Sequence, residues 1–319
     1  MTGKWGRQSC RQARILAGFD VGPPIVAASP LSCGLLFRTR GTRPGPNSRR
    51  QITYYEKVHE NAGAVLTMHI DLNCDMGEIP THIADGTQES LMRSITSVNI
   101  ACGGHAGDDD TMKTTIEQAL RWNLTIGAHP GYPDRANFGR LEMDLPLNEI
   151  ESTIFAQIHA LSTIAATFAT SIVHVKPHGA LYNQAVNRPD LAGAIARGVA
   201  RFSKEVVLVG LAGSPMLDAF RAAGFRVAAE AFADRRYEPD GTLRSRKFDD
   251  ALIRDPRKAA EQALGIARKQ GVIASDGSTV KIDAQTICIH GDTPGAPQIA
   301  ETVASALQSG GISLRPLST

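Results

Sequence analysis

The sequence has few features of a membrane protein or of a disulfide-stabilised protein. None of its apolar stretches approaches the roughly 18 residues that a membrane helix needs. Its five cysteines are an odd number, and they form no CxxC pair or regular spacing that would predict a disulfide framework or a zinc knuckle. Cys74, Cys102 and Cys288 stand at or near the ends of predicted strands. We therefore expect buried thiols and a reduced, cytoplasmic compartment.

Basic residues are scarce outside the first fifty positions. Residues 1–50 hold nine of the 34 Lys and Arg residues and one of the 32 acids, so the rest carries 25 basic and 31 acidic groups, a net charge of −6. An acidic body argues against a nucleic-acid partner, because phosphates call for clustered Lys and Arg. A phosphate loop of the GxxxxGKS/T type is also absent. If ATP is used, another arrangement or a partner protein must hold its phosphates.

The first 67 residues differ in composition from the rest of the chain, being rich in Arg, Gly, Pro and Ser. A transit peptide would explain the basic, acid-poor composition, but no clean amphipathic helix supports it. A secretory signal needs a continuous apolar core, and the run at 21–36 is broken by proline and glycine. We favour an extension without a fold of its own at 1–67, either disordered or a start-site artefact, because Met68 directly precedes the first predicted strand. The barrel domain is then predicted at 68–319.

Strands and helices alternate from Met68 onward. The apolar runs predict seven strands, at 68–73, 96–101, 124–129, 171–177, 206–211, 226–230 and 285–290. An N-cap residue, proline at the first helical position and a closing glycine predict helices at 214–224 and 255–271. Apolar residues three and four apart predict a long amphipathic helix near 147–168.

Polar, mostly ionisable residues follow nearly every one of these strands. In a parallel α/β barrel the carboxyl ends of the strands meet on one face, and that face carries the chemistry. An open doubly wound sheet would instead collect its ligand residues from two or three strand ends at one switch point. Because nearly every strand contributes here, the pattern predicts an α/β fold of the barrel type with an active site at this face.

Five of the polar clusters resemble motifs of the LamB/YcsF family, and they occur in the same order between about Met68 and Gly311: residues 71–78, 99–108, 126–140, 175–183 and 289–292. The resemblance implies an irregular seven-stranded parallel β/α barrel related to the carbohydrate deacetylases. The implied activity is that of the A subunit of a prokaryotic 5-oxoprolinase, which opens 5-oxo-L-proline (pyroglutamate) to L-glutamate with ATP and works with subunits B and C. Gly104 stands where many members carry phenylalanine, and residues 79–89 depart from the usual family sequence.

A five-membered lactam is a stable amide, so activation by ATP makes sense if the amide oxygen is phosphorylated before water attacks. That scheme needs cations for the phosphate, a base for water and an acid for the departing nitrogen. The candidate catalytic residues are Asp71, Asn73, Asp75, Glu78, His105, His129, Lys176, His178, Glu230 and Asp234. The candidate substrate- or phosphate-binding residues are Asn99, Arg140, Asn183, Arg235, His290 and Asp292. The expected cofactor is ATP with Mg²⁺.

A transition-metal site is the main alternative to the ATP scheme. Asp71, His105 and His129 are suitable by type to hold a divalent ion with an open position for water, although no HExxH-like signature fixes their geometry. The chain would then be a metal-dependent deacetylase or amidohydrolase acting alone. A third alternative is a lactam-binding subunit without independent turnover.

Several candidate residues also have purely structural explanations. Asp71 and Asn73 alternate on one strand and could form a polar layer inside the barrel. One of the acids at 108–110 is expected to cap the helix that begins near Thr111. Asp240 and Gly241 predict a hairpin or tight loop within 235–253, a segment that could serve as a lid or as a docking surface.

Overall fold

The computed structural model describes residues 68–318, so the predicted extension at 1–67 lies outside the described residues. The strands of this part are β1 His69–Met76, β2 Ser97–Ala101, β3 Thr125–His129, β4 His174–Val175, β5 Val207–Leu211, β6 Val227–Phe232, β7 Val272–Ile273, β8 Thr279–Val280, β9 Thr286–Ile289 and β10 Ser313–Leu314. Strands β1 to β6 and β9 pair in parallel in chain order, and β9 returns to β1. Seven parallel strands thus close into a barrel, which confirms the predicted fold class.

Three short strands were not predicted because two-residue strands are too short to show a periodic pattern. Strands β7 and β8 form a small antiparallel pair outside the barrel, and β10 extends the sheet beside the start of β1. Strand β4 is shorter than the predicted 171–177, yet its alignment with β3 continues beyond Val175. The backbone N–H groups of Lys176 and His178 donate to the carbonyl oxygens of Ala128 and Pro130 at 2.9 and 2.8 Å.

The alternation of side chains along β1 explains how this barrel holds both an apolar core and a polar interior. Ile70, Leu72, Cys74 and Met76 belong to the hydrophobic core around the barrel. The intervening residues Asp71, Asn73 and Asp75 make hydrogen bonds with polar residues of other barrel strands. Successive side chains of a strand point to opposite faces, so one strand supplies both sets. The interior of this barrel is therefore lined with polar groups that need partners.

The α-helices among residues 68–318 are Pro80–Ala84, Thr87–Met92, Asp109–Arg121, Leu147–Thr167, Gly179–Val186, Pro189–Phe202, Pro215–Ala222, Pro256–Ala267 and Ala296–Ser309. The predicted long helix near 147–168 is confirmed, and Ile150, Ile154 and Ile158 of its stripe are buried. Asp108 caps its helix through a capping box with Thr111, as expected. None of these helices is long and apolar enough to cross a membrane.

Two further expectations concern local structure. Gly241, with φ of 84°, lies in a tight turn in which its N–H donates to the Glu238 carbonyl oxygen at 2.9 Å, as the Asp–Gly pair predicts. Cys74, Cys102 and Cys288 are free and buried, as expected for small apolar groups.

Candidate active site at the mouth of the barrel

A cleft of about 780 Å³ opens at the carboxyl ends of the barrel strands. Ten of the sixteen predicted site residues line it: Asp75, Glu78, His129, Arg140, Lys176, His178, Asn183, Arg235, His290 and Asp292. The other six predicted residues do not line the cleft: Asp71, Asn73, Asn99, His105, Glu230 and Asp234. The structure therefore divides the predicted set into groups that can meet a ligand and groups that support them.

Lys176 is a buried cation held between two carboxylates. Its Nζ lies 2.9 Å from Asp75 Oδ1 and 2.9 Å from Glu230 Oε1, and it is also 3.1 Å from Cys288 Sγ. Burial disfavours the ammonium, but Asp75 and Glu230 stabilise it, so the pKa of Lys176 lies well above its ordinary value. Burial also raises the pKa of Cys288 well above its usual value, which keeps the thiol protonated beside the ammonium.

Asn99, which does not line the cleft, orients the carboxylate of Asp75. The Asn99 amide donates to Asp75 Oδ1 at 2.8 Å, and Asn99 Oδ1 lies 2.8 Å from Nε2 of His174. Burial opposes the charge of Asp75, but His129 and Lys176 hold the pKa of this carboxyl well below its ordinary value. Asn99 was predicted to bind substrate, and the structure instead places it where it orients Asp75.

Asp71 lies one layer deeper in the barrel than predicted. Its carboxylate accepts hydrogen bonds from the hydroxyls of Thr96 at 2.7 Å, Ser97 at 2.8 Å and Thr286. Burial raises the pKa of Asp71 to about 6, although these hydrogen bonds act in the opposite direction. The structure therefore does not bring Asp71 together with His105 and His129, which were predicted with it as metal ligands, because hydroxyl groups surround the Asp71 carboxylate.

Asn73 continues this polar layer and also lies beneath the cleft. Its amide donates to Thr286 Oγ1 at 2.6 Å and to Glu230 Oε1 at 3.2 Å, and its Oδ1 accepts from Asn99 at 2.8 Å. These contacts use both N–H donors of the amide, and its oxygen also lies 3.5 Å from Lys176 Nζ. Asn73 and Glu230 thus support Lys176 from below, where the sequence predicted catalytic groups.

Glu78 stands among three histidines at one side of the cleft. Glu78 Oε1 lies 3.0 Å from His105 Nε2, 3.2 Å from His178 Nδ1 and 3.7 Å from His129 Nε2. Burial lowers the pKa of His105 to about 3, and nearby His178 acts in the same direction, so His105 is neutral near pH 7. Each of the four residues offers a ligand atom within 4.8 Å of the others, which makes this group a candidate metal-binding cluster. Imidazole ligands suit a transition metal better than Mg²⁺, which prefers oxygen.

Asp234 and His290 form a largely buried carboxylate–imidazole pair. Asp234 Oδ1 lies 2.9 Å from His290 Nδ1, while Oδ2 accepts from the backbone N–H of His290 at 3.0 Å and from Thr293 Oγ1 at 2.8 Å. Burial works against the charge of Asp234, but His290 keeps the pKa of this carboxyl below its ordinary value. Since the carboxylate accepts a hydrogen bond from Nδ1–H, Nδ1 carries the proton of the neutral ring and Nε2 is free to accept one.

Arginines provide the positive charge of the cleft. Arg140 and Arg246 both bind Asp292, the second through Nη1 at 2.8 Å. Arg235 is almost fully buried, donates through Nη2 to the carbonyl oxygen of Arg244 at 2.8 Å, and has no partner for its Nε among the described residues. Burial lowers the pKa of Arg235 to about 10, and Arg246 adds to this effect. Nε is itself inaccessible, so Nη1, which makes no hydrogen bond among the described residues, is the guanidinium nitrogen left for a ligand.

Arg246 and His174 are two of the residues at the site that were not predicted. Arg246 comes from the excursion 235–253, where the sequence predicted a lid or docking surface without naming a residue. His174 lies in β4 beneath the cleft, and burial lowers its pKa to about 3. A Cβ at Gly127 in β3 would lie 2.1 Å from His174 Nε2, so this glycine makes room for the imidazole. A glycine inside a strand was the available signal, since it marks the close approach of another group.

The departure from the family sequence at Gly104 has a structural counterpart. A Cβ at this position would lie 2.3 Å from Oε1 of Gln157. The Gln157 amide occupies that space and binds both backbone groups of Gly131, accepting from its N–H at 3.1 Å and donating to its carbonyl oxygen at 2.7 Å. Gln157 thus fills the place beside the loop that carries His129 to Gly131.

Known proteins resemble this chain over the whole barrel. Two relatives, from Chloroflexus aggregans and Heliobacterium modesticaldum, are named as the A subunit of 5-oxoprolinase. They are 48% and 44% identical over 248 residues, and each alignment covers 78% of this chain and 98% of the relative. The crystal structure of the lactam utilization protein from Thermus thermophilus superposes on this chain with a TM-score of 0.73 and 37% sequence identity. The match covers 78% of this chain and 100% of that protein.

A weaker similarity extends to a family 4 carbohydrate esterase from Streptomyces lividans, with a TM-score of 0.43 and 10% identity over 77% of this chain and 91% of the esterase. Similarity at this level says nothing about shared chemistry. Residues 70–319 match the model of the LamB/YcsF family. The chain belongs to the LamB/YcsF family.

Proposed function

We propose that this LamB/YcsF protein is the A subunit of an ATP-dependent 5-oxoprolinase, a hydrolase that opens 5-oxo-L-proline to L-glutamate in a complex with subunits B and C. The names of the relatives support a place in 5-oxoproline or lactam metabolism and imply partner subunits. One observation carries the proposal: a single cleft holds a guanidinium with a spare donor, Arg235, and an imidazole oriented by a carboxylate, His290.

The substrate offers one carboxylate and one cyclic amide, and the cleft has a group for each. Arg235 binds the carboxylate through Nη1, which makes no hydrogen bond among the described residues, because a guanidinium binds a carboxylate through directed hydrogen bonds. Lys176 faces the amide oxygen, where a fixed ammonium stabilises the negative charge that develops during the reaction. Asp75 and Glu230 hold Lys176 in place, so it need not reorganise as the charge forms.

The proposed reaction consumes one ATP and two water molecules. The γ-phosphoryl group of ATP passes to the amide oxygen, which releases ADP and the proton of the amide nitrogen. Water then attacks the activated carbon, the bond from carbon to nitrogen breaks, and the nitrogen leaves as the amine after taking up protons. A second water hydrolyses the acyl phosphate, which releases phosphate and L-glutamate.

His290 is the group proposed to move protons in these steps. Its Nδ1 is held by Asp234, which leaves Nε2 to take a proton from the attacking water and later to give one to the nitrogen. Asp234 does not line the cleft and therefore acts as a positioning residue, stabilising the imidazolium when it forms.

The rim of the cleft is the proposed place for the phosphate chain. Arg140, Arg246 and Lys247 line the cleft and can meet phosphate oxygens, while the carboxylates Asp292, Glu142 and Asp240 line it as well and balance their charge. Because the chain lacks a P-loop, the remaining nucleotide contacts and the Mg²⁺ that accompanies ATP are assigned to subunits B and C. The free thiols agree with the proposed cytoplasmic location.

The test is glutamate release from 5-oxo-L-proline by the full chain, alone and with subunits B and C, with and without ATP and Mg²⁺. We expect glutamate only in the complete mixture, and we expect His290→Gln to lower kcat by about 10²–10⁴-fold, the usual contribution of general acid–base catalysis. His159→Gln is the matched control, since His159 is exposed on the helix Leu147–Thr167. No glutamate in any mixture from a folded chain would contradict the proposal. In that case, binding of 5-oxoproline without turnover would indicate a lactam-binding subunit.

The cluster around Glu78 favours a second candidate function, a metal-dependent amidohydrolase that acts alone. In the same assay, turnover by this chain alone that ignores ATP and stops on chelation would identify this activity.

A further inference from the structure

Two histidines of the cleft have their tautomers fixed by backbone carbonyl groups. His129 Nδ1 lies 2.7 Å from the carbonyl oxygen of Lys176, and His178 Nε2 lies 2.9 Å from that of Phe138. A carbonyl oxygen only accepts hydrogen bonds, so both of these nitrogens carry a proton. In the neutral rings, His129 Nε2 and His178 Nδ1 are therefore the nitrogens that present lone pairs.

These two lone pairs converge with a carboxylate oxygen. His129 Nε2 and His178 Nδ1 are 2.9 Å apart, and they lie 3.7 and 3.2 Å from Glu78 Oε1. Three acceptors at such distances repel one another unless a cation stands among them. A proton on one of the rings bridges two of the atoms at a time, whereas a metal ion binds all three at once.

The spacing of the three atoms suits a transition-metal ion. Zinc binds imidazole nitrogen at about 2.0–2.1 Å and carboxylate oxygen at about 2.0–2.2 Å, so neighbouring ligand atoms of a tetrahedral site lie about 3.3 Å apart. The distances of 2.9, 3.2 and 3.7 Å bracket that value. Each imidazole also donates its other N–H to a backbone carbonyl, which is the usual outer contact of a metal-binding histidine.

We propose that Glu78, His129 and His178 bind a divalent transition-metal ion of the zinc type. All three residues line the cleft, so the fourth position of a tetrahedral site would face the cleft. An ion bound there supplies Lewis-acid polarisation of a carbonyl oxygen. The inference goes beyond the proposed function, because the ion would be bound whether or not the chain turns over 5-oxoproline.

His105 completes the cluster as a positioning residue. Its ring stacks on His178 with centroids 3.5 Å apart and an angle of 4° between the planes, so an ion in the plane of His178 lies well out of the plane of His105. Its Nε2 instead donates to Glu78 Oε1 at 3.0 Å, and its buried Nδ1 has no partner among the described residues. His105 therefore orients both Glu78 and His178.

A second group of potential metal ligands already has a cation of the protein beside it. Asp75, Cys288 and His290 also bring such atoms within 4.8 Å of one another. The ammonium of Lys176, however, lies 2.9 Å from Asp75 Oδ1 and 3.1 Å from Cys288 Sγ. A cation of the protein already neutralises that group, whereas no Lys or Arg forms an ion pair with Glu78 among the described residues.

The test measures metal binding directly and needs no catalytic assay. The full chain is stripped with a chelator and titrated with Zn²⁺ by calorimetry and with Co²⁺ by visible absorption, which reports tetrahedral coordination. We expect one equivalent to bind. Glu78→Gln, which keeps the shape of the side chain, and His178→Ala should each weaken binding by more than about 100-fold, and His105→Ala by about 10–100-fold, as for other outer-shell residues.

His159→Ala is the matched control, because this exposed histidine should leave the titration unchanged. Circular dichroism checks that each variant is folded, and Glu78→Gln keeps the test decisive if His178→Ala does not fold. Less than one equivalent bound to the wild-type chain at micromolar metal would overturn the proposal. Equal affinities for Glu78→Gln and His159→Ala would overturn it as well. Because the readout is binding, failure here leaves the glutamate-release assay of the proposed function unaffected.

Discussion

The buried carboxyl of Asp71 makes a quantitative prediction about stability and pH. Its pKa is about 6 in the folded protein, raised from an ordinary value of 3.8 chiefly by burial. Between these two values the folded chain holds a proton that the unfolded chain has released. The stability associated with Asp71 is therefore complete below pH 3.8 and is lost as the pH rises through 6.

The shift of about 2 pH units corresponds to about 3 kcal/mol, at 1.36 kcal/mol for each unit. Asp71→Asn cannot ionise and keeps one acceptor oxygen for the hydroxyls of Thr96 and Ser97. We expect the free energy of unfolding of this variant, relative to wild type, to rise by about 2.5 kcal/mol between pH 4 and pH 8, since part of the change already occurs below pH 4. A constant offset from imperfect hydrogen bonding in the variant does not affect this change.

The assay is urea unfolding followed by circular dichroism at a series of pH values. Asp110→Asn, a substitution at an exposed position of the helix Asp109–Arg121, controls for removing one carboxylate from the chain. A difference between Asp71→Asn and wild type that stays flat with pH would refute the reasoning. A relative loss of stability as the pH rises would refute it too, because it would mean that the folded barrel favours the ionised Asp71.

Three further substitutions test the supporting contacts of the site and the fold. Lys176→Met should lower the free energy of unfolding by about 3–5 kcal/mol at pH 7, because two buried carboxylates lose their cation. Adding Glu230→Gln should restore part of this loss. Urea unfolding measures both variants. Gly104→Ala should lower the free energy of unfolding of the wild-type chain, because the new methyl group displaces the Gln157 side chain. In a Gln157→Ala background the same substitution should cost little, and a double-mutant cycle measures the difference. Equal losses of stability in the two backgrounds would exclude the clash. Asp108→Ala should cost about 1 kcal/mol through loss of the capping box, and an unchanged midpoint of thermal unfolding would contradict this.

The sequence was sufficient to predict the barrel because its strands carry two separate patterns. Apolar runs gave the positions of the seven barrel strands, and the ends of most of them agree with the structure to within one or two residues. The polar residues at the strand ends predicted the face that carries the cleft, and ten of the sixteen named residues line it. Both patterns depend on neighbours along the chain, so a single sequence contains them.

The depth of each side chain in the barrel could not be predicted in the same way. Asp71 and Asp75 share one face of β1, yet Asp71 is opposite Thr286 of β9 and lies beneath the cleft, whereas Asp75 is opposite Asn99 of β2 and lines it. The tilt and stagger of the strands set this depth, and they depend on how the whole barrel closes. The sequence also could not predict the tautomers of the histidines, because these depend on backbone carbonyl groups of other segments, such as that of Phe138.

Equilibrium binding of 5-oxo-L-proline to the full chain, measured by calorimetry, tests most directly the claim that this cleft is the lactam site. The account predicts one equivalent bound by the wild-type chain and binding at least about 10-fold weaker in Arg235→Gln, since a charge-assisted hydrogen bond contributes about 1.5–3 kcal/mol. Arg236→Gln is the matched control, because this neighbouring arginine is partly exposed and does not line the cleft. No binding to the wild-type chain, or equal affinities for Arg235→Gln and Arg236→Gln, would contradict the account.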